Sequence, residues 1–249
     1  MCAGAVCAGH KGYAVGGHEY GGDVHSIRIG GITMTNPDLT TIAVLLDRSG
    51  SMQTIKSDTE GGLAAYFEEQ RKVENAVRVT LAQFDTEYEC VYSDVPIDEV
   101  PPPVLQPRGA TALYDAIGKL VTDLGADLAA RPENERPGTV LVVVLTDGHE
   151  NSSREWTHAA VRSLIEQQQN VYSWDFLFLG ANMDAVAIGS GLGFAPQQSI
   201  TYGAAPAGVA GVFRAAGAYS RRLQAPSGAP GSARAAGFTD EERRDANPG

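Results

Sequence analysis

The chain has 249 residues, of which 43% are hydrophobic and 20% charged, and these values suit a soluble globular protein with room for a substantial core. The formal net charge of −11 disfavours nucleic acid and anionic membrane surfaces as partners, and it favours cations and basic protein surfaces. The longest apolar runs have the length of strands rather than of a membrane span, so no membrane contact is expected.

The first 37 residues are predicted to lie outside the core, because residues 1–33 are rich in Gly and His and show no strand or helix period. One hypothesis is that the native chain starts at Met34. The alternative is a metal-binding arm, although its spacing matches no zinc template well. That arm would use Cys2, Cys7, His10, His18 and His25. The few cysteines and the lack of a secretory signal predict a cytoplasmic location.

From Thr41 onward, strand-like and helix-like segments alternate within a domain predicted to span residues 38–223. The predicted strands cover residues 41–46, 77–84, 88–92, 140–145, 174–179 and 198–202. The predicted helices cover residues 54–71, 111–128, 156–168, 184–192 and 206–223. This alternation predicts a Rossmann-like, doubly wound α/β fold. Its sheet would be mainly parallel, with one antiparallel edge strand and helices on both faces.

The C-terminal residues 224–249 are predicted to form a flexible tail, because they are rich in Ala, Gly, Pro and Arg. Within this tail, residues 238–242 offer the start of a short capped helix. A solvated tail is the favoured interpretation.

Oxygen-bearing side chains gather directly after the first predicted strand. Asp47, Ser49 and Ser51 follow the apolar run 41–46, with Gly50 between the two serines. If the chain turns sharply at Gly50, the three side-chain oxygens can face one point beyond the strand. Such an all-oxygen set suits a hard cation such as Mg²⁺ or Ca²⁺ rather than zinc or copper.

Two further oxygen ligands are expected at the same edge of the sheet. Thr111 stands where a helix should begin, and helix capping is the alternative explanation for it. Asp147 follows the continuously apolar run 139–145, and the alternative is an ordinary Asp-Gly turn. Both positions are expected at the carboxyl edge of the predicted sheet, where open α/β folds bind their ligands. Together the three segments favour one shared metal site.

These segments resemble the metal-ion-dependent adhesion site (MIDAS) of von Willebrand factor type A (vWA) domains. The family's Asp-x-Ser-x-Ser falls on Asp47, Ser49 and Ser51, its threonine on Thr111 and its later aspartate on Asp147. The resemblance extends over most of the chain and implies a stand-alone vWA domain of bacterial type. It implies a bound Mg²⁺, or Ca²⁺ or Mn²⁺, whose coordination a Glu or Asp of a partner protein completes. It also suggests work beside an AAA-type ATPase or in a stress-response system.

Other classes of function stay open beside this non-enzymatic binding module. A magnesium-dependent hydrolase or phosphatase would use the same sheet edge, since Mg²⁺ there supports phosphoryl chemistry. Against it, the sequence has no P-loop, no second aspartate two residues after Asp47 and no obvious general base. The third alternative is a structural scaffold subunit that keeps the fold but whose metal site has no function. Arg48 is expected to face solvent, and residues 149–151 to form a rim or a polar loop.

Overall fold

The computed structural model describes residues 35–225 and 236–248, which belong to one compact unit spanning residues 34–249. The predictions about a start at Met34 and about a Cys–His arm lie outside the described residues. The first strand begins at Asn36, two residues before the predicted start of the domain at residue 38. Within the described residues, no helix combines the length and the apolar character that crossing a membrane requires.

In the part of the chain that the structure describes, the sheet has six strands in the order β3-β2-β1-β4-β5-β6. They are β1 (Asn36–Asp47), β2 (Ala76–Phe84), β3 (Tyr88–Pro96), β4 (Pro137–Thr146), β5 (Asp175–Ala181) and β6 (Ser199–Tyr202). All neighbours pair in parallel except β2 and β3, which form an antiparallel pair at one edge. The predicted fold class, mainly parallel with one antiparallel edge strand, is therefore confirmed.

The two faces of the sheet carry separate hydrophobic cores, because alternate residues of each strand point to opposite sides. In β1, Ile42 and Val44 belong to one core and Ala43 and Leu45 to the other. The first core is covered by α1 (Lys56–Gln70) and α5 (Pro206–Gln224). The second is covered by α2 (Leu113–Ala129), α3 (His158–Tyr172) and α4 (Ala185–Gly191). Burial on both faces explains why β1 and β4 are continuously apolar in sequence.

The C-terminal segment differs from the predicted solvated tail. Thr239 and Glu242 form a capping box that begins a short helix, α6 (Asp240–Ala246), which packs on α5. Phe238 is only 4% exposed, and its ring lies 5.8 Å from that of Tyr219. The close packing depends on Gly211 of α5, since a Cβ there would come within 2.3 Å of a backbone oxygen of α6. Local composition did not reveal this docking surface, because it exists only once α5 is folded.

Candidate metal centre

Parallel pairing of β1 and β4 brings two aspartates to one edge of the sheet. Leu46 pairs with Leu145, so Asp47 ends β1 beside Thr146, which ends β4, and Asp147 follows immediately. The Thr146 hydroxyl donates a hydrogen bond of 2.6 Å to Asp47 Oδ2. The carboxyl ends of these central strands thus place both predicted carboxylates at the position where open α/β sheets bind ligands.

The loop after β1 turns and joins its serines to the second aspartate. The Ser49 backbone N–H donates to Asp47 Oδ1 at 2.6 Å, and a 3₁₀ turn over Gly50–Ile55 follows directly. The Ser49 and Ser51 hydroxyls lie 3.1 Å apart, and Ser51 Oγ donates to Asp147 Oδ1 at 2.6 Å. Four of the five predicted ligands are therefore linked by short polar contacts.

Thr111, the fifth predicted ligand, lies close to Gly148 and Asp47. A Cβ added to Gly148 would lie 2.7 Å from Thr111 Oγ1 and 3.6 Å from Asp47 Oδ2, so both oxygens face the same glycine. Ala112, and not Thr111, occupies the N-cap position of α2, which removes the capping explanation for this threonine. The fold brings all five predicted residues together, while their role as metal ligands stays a prediction.

The electrostatics of the site favour a bound cation. Burial raises the pKa of Asp47 to about 6, although hydrogen bonds from Thr146 and Ser49 oppose this shift and nearby Asp147 adds to it. Burial also raises the pKa of Asp147, against a hydrogen bond from Ser51. Since a buried carboxylate without a countercharge is costly, a cation would stabilise this pair.

The chemistry of the donor set points to a hard ion. The five side chains offer two carboxylates and three hydroxyls, and all of their donor atoms are oxygens. Among the residues that the structure describes, no group of three or more His, Cys, Asp or Glu side chains offers a different metal site. The residues present fit Mg²⁺, Ca²⁺ or Mn²⁺ better than a metal that needs nitrogen or sulfur ligands.

Arg48 is buried, so the prediction that it faces solvent was wrong. Its side chain is 6% exposed, and its Nε lies 2.7 Å from Asp85 Oδ2 and its Nη1 pairs with Glu89. Arg108 binds the same Asp85 oxygen at 2.9 Å. Pairing of β1 with β2 places the β2–β3 turn beside Arg48, a contact between residues 37 positions apart that local sequence does not show.

This ion-pair network connects the loops that carry the predicted ligands. The Arg48 backbone N–H donates to Phe84 O, and the Arg108 N–H donates to Arg48 O, both at 2.8 Å. The Ala112 N–H donates to Asp85 O, also at 2.8 Å, which ties down the chain next to Thr111. Arg48 and Asp85 therefore hold the loop of Asp47 and the loop of Thr111 in one arrangement.

Residues 149–151 lie in a polar loop after β4, which hydrogen bonds of Glu150 and Asn151 hold in place. The Asn151 side chain accepts from the Thr111 N–H at 2.9 Å, and the Asn151 N–H donates to Thr111 O at 3.0 Å. Glu150 accepts hydrogen bonds from the backbone N–H of Tyr114 and from the backbone and hydroxyl of Ser153. These two residues lock the loop after β4 onto the start of α2.

Thr146 is a residue of the site that the sequence analysis missed. Its hydroxyl donates to Asp47 and accepts from the Gly148 N–H at 3.1 Å. The available signal was a hydroxyl that ends β4 after the apolar residues 140–145, directly before Asp147. That position alone does not show which neighbouring strand the hydroxyl faces.

Comparison with known proteins supports the fold. No protein-family model matches the sequence, and no curated protein does. Among solved structures, the vWF domain of the type V pili tip protein Mfa5 from Porphyromonas gingivalis is 10% identical, with a TM-score of 0.52, and the match covers 76% of this chain and 97% of that one. A mutant of the PilB minor pilin from Streptococcus sanguinis is 13% identical, with a TM-score of 0.51 and coverage of 76% and 63%.

A third structure, a von Willebrand factor type A protein from Catenulispora acidiphila, is 15% identical with a TM-score of 0.50. The match covers 76% of this chain but only 43% of that protein, and for several other solved structures the share is 44%. The chain thus spans less than half of those proteins. At these identities the comparisons establish the fold, which is that of vWA domains, and leave the activity to be inferred from the site.

Proposed function

We propose that this protein is a non-enzymatic binding module whose vWA fold holds a divalent cation, preferably Mg²⁺, and recognises an acidic side chain of a partner protein. The observation that carries the proposal is the convergence of five oxygen-bearing side chains on Gly148 and its surroundings. These are Asp47, Ser49, Ser51, Thr111 and Asp147. The raised pKa of buried Asp47 adds an electrostatic reason for a cation to bind there.

The charge balance of the site explains why a partner carboxylate would bind. Two carboxylates, Asp47 and Asp147, balance the charge of one divalent ion, and the three hydroxyls are neutral ligands. Five protein oxygens leave at least one position of a six-coordinate ion for an incoming group. Because the protein supplies little excess negative charge, a Glu or Asp of the partner is a suitable ligand for that position.

The binding role is preferred over the hydrolase alternative for an electrostatic reason. Phosphoryl transfer depends on cationic groups that stabilise charge on the phosphoryl oxygens. Arg48, the cationic side chain within the ligand loop, is already paired with Asp85 and Glu89. It is therefore engaged in holding the protein loops rather than free to bind a phosphate.

The kind of cellular system to which the partner protein belongs is inferred only in general terms. Two of the structures with this fold are pilus proteins by name, and the sequence resemblance suggests an AAA-type ATPase or a stress-response system. The module proposed here needs only a protein with an accessible Glu or Asp. Its cytoplasmic location stays a prediction from the sequence.

A pull-down from a lysate of the organism that encodes the chain tests this function. Wild type and Asp47→Ala serve as baits in Mg²⁺ and in EDTA, with Asp127→Ala of the exposed surface of α2 as the matched control. We expect a protein that wild type and Asp127→Ala retain only in Mg²⁺ and that Asp47→Ala does not retain. If every bait retains the same proteins in Mg²⁺ and in EDTA, the result would favour the scaffold alternative. Phosphatase turnover lost in Asp47→Asn would favour the hydrolase.

A further inference from the structure

A cavity of about 380 Å³ opens beside the proposed metal site, between the loop after β4, the start of α2 and α4. Its floor consists of Leu113 and Leu192, which are almost fully buried. The half-buried side chains of Tyr114 and Ile188 form its walls. The cavity therefore offers an apolar and aromatic surface close to an otherwise polar site.

Histidine and tyrosine rings define one side of this cavity. The rings of Tyr114 and His158 meet edge to face, with their centroids 5.7 Å apart and their planes at 78°. A Cβ added to Gly191 would lie 3.2 Å from His158 Nε2, so the first residue of α3 packs closely against α4. This arrangement fixes a wall of aromatic edges and faces, against which a further aromatic ring can pack.

The acidic residue in the lining, Glu150, is directed into the protein. Its carboxylate accepts hydrogen bonds from the backbone N–H groups of Tyr114, Ser152 and Ser153, and from the Ser153 hydroxyl. These donors satisfy the negative charge, so Glu150 neither repels an apolar group nor needs a ligand. His149, which also lines the cavity, is exposed to solvent.

The cavity adjoins the proposed metal site at Gly148. This glycine lines the cavity, and a Cβ on it would lie within 4 Å of oxygens of both Thr111 and Asp47. A partner segment whose carboxylate reaches the ion therefore has its neighbouring side chains beside the cavity.

We propose that this cavity is the specificity pocket of the module, which takes an aromatic side chain of the same partner segment that supplies the acidic residue. The inference rests on the proposed function. Burial of the aromatic ring against Leu113, Ile188 and Tyr114 would supply affinity that a single carboxylate–metal contact lacks. The recognised motif is then an acidic residue with an aromatic residue at a fixed distance along the partner chain.

The test is a selection of displayed peptides that carry one fixed Glu between randomised positions, performed in Mg²⁺. The baits are wild type, Ala187→Trp and Ala126→Trp. Ala187 is exposed at the cavity, so a tryptophan there covers the entrance. Ala126 is likewise an exposed alanine of a helix. It lies near the C-terminal end of α2, whereas Leu113 of the cavity lies at the N-terminal end, so Ala126→Trp serves as the matched control.

We expect wild type and Ala126→Trp to select an aromatic residue at one position relative to the Glu. Ala187→Trp should bind the selected peptide at least about tenfold more weakly and lose the aromatic preference, while it keeps the need for Mg²⁺ and Glu. Peptides that need Mg²⁺ and Glu but show no aromatic preference, or that bind Ala187→Trp equally well, would overturn the pocket and leave the function intact. Aromatic peptides that bind equally in EDTA and without Glu would support the pocket and contradict the function. Selection of no peptide would overturn both.

Discussion

Ser51 and Asp147 are joined by a hydrogen bond of 2.6 Å between Ser51 Oγ and Asp147 Oδ1, although 96 positions separate them in the chain. Together with the bond from Thr146 to Asp47, it fixes both carboxylates of the site between two neighbouring loops. The protein therefore pre-arranges the proposed ligands through its own hydrogen bonds. The cost is a fully buried carboxylate, Asp47, close to the half-buried Asp147, and this cost leads to the first two predictions.

Asp47→Asn should stabilise the metal-free protein at pH 7. Burial raises the pKa of Asp47 from 3.8 to about 6, so its ionised form destabilises the native state. Removing that charge should increase the free energy of unfolding by about 1–3 kcal/mol, since one pKa unit corresponds to about 1.4 kcal/mol. Urea unfolding in EDTA measures this change, with Asp127→Asn on the exposed surface of α2 as the control.

The same variant should lose the stabilisation that Mg²⁺ gives to wild type. Ligand binding to the native state alone raises stability with ligand concentration, and Asp47→Asn removes a charged ligand. A melting temperature of Asp47→Asn that rises with Mg²⁺ as much as that of wild type would contradict the assigned role of Asp47.

Binding of Mg²⁺ should weaken as the pH falls through about 6. The pKa of Asp47, raised to about 6, means that protons compete with the cation in this range. Calorimetric titrations at pH 5 and at pH 7.5 measure the effect, and we expect at least a tenfold weaker affinity at pH 5. Equal affinity at the two pH values would contradict the raised pKa of Asp47 or its role as a ligand.

The contribution of Asp47 to the stability of the metal-free protein should fall as the pH rises, whereas Mg²⁺ binding should strengthen. Between about pH 4 and pH 6 the native state holds the Asp47 proton more tightly than the unfolded state does, so this group's contribution to stability falls as the pH rises. Because Asp47→Asn lacks this carboxyl, comparison of wild type with this variant separates the contribution of Asp47 from that of other titrating groups. The difference in stability between the variant and wild type, measured in EDTA, should therefore grow from pH 4.5 to pH 7. A constant difference would contradict the assigned pKa.

Gly148→Ala should damage the site, because the added Cβ would lie 2.7 Å from Thr111 Oγ1. Displacement of Thr111 should weaken Mg²⁺ binding and destabilise the native state by about 1–3 kcal/mol, as overpacking commonly does. Gly61→Ala is the matched control, since no atom lies within 4 Å of its added Cβ on the exposed surface of α1. That control should gain about 0.5–1 kcal/mol of stability and bind Mg²⁺ as wild type does.

Asp85→Ala should destabilise the protein more than Arg48→Met does. Asp85 pairs with both Arg48 and Arg108, and its loss leaves the buried Arg48 with only the more exposed Glu89. Breaking a buried pair in this way costs about 3–5 kcal/mol, whereas Arg48→Met leaves Asp85 still paired with Arg108. Urea unfolding of both variants measures which of them loses more stability. A smaller loss in Asp85→Ala would show that the network does not hold the two loops together.

Phe238→Ala should destabilise the domain by about 3 kcal/mol or more, because its ring is buried against Tyr219. The C-terminal helix also covers the edge of β6, where Arg243 donates to Ser199 O at 2.8 Å. Thermal unfolding measures the loss, and Glu241→Ala on the exposed face of α6 is the control. Equal melting temperatures for the two variants would mean that the docked helix contributes little to the fold.

The fold, and the proximity of the five proposed ligands, could be predicted from the sequence for a physical reason. In parallel sheets the strands are buried on both faces, so their apolar runs are visible, and ligands follow at their carboxyl ends. Asp47 and Asp147 stand at such ends and can be read directly. The contacts of Arg48 with Asp85, and of Phe238 with α5, depend on pairings between distant segments. Composition near each residue carries no information about those pairings.

The most direct test of the metal site is a crystal structure of the protein soaked in Mn²⁺, with anomalous scattering used to locate the ion. We expect one anomalous peak within coordination distance of oxygens of Ser49 and Ser51, beside Asp47, Thr111 and Asp147. A parallel soak of Asp47→Ala should show no peak. A wild-type crystal with no peak at this position, or a peak that Asp47→Ala retains, would contradict the proposed metal site.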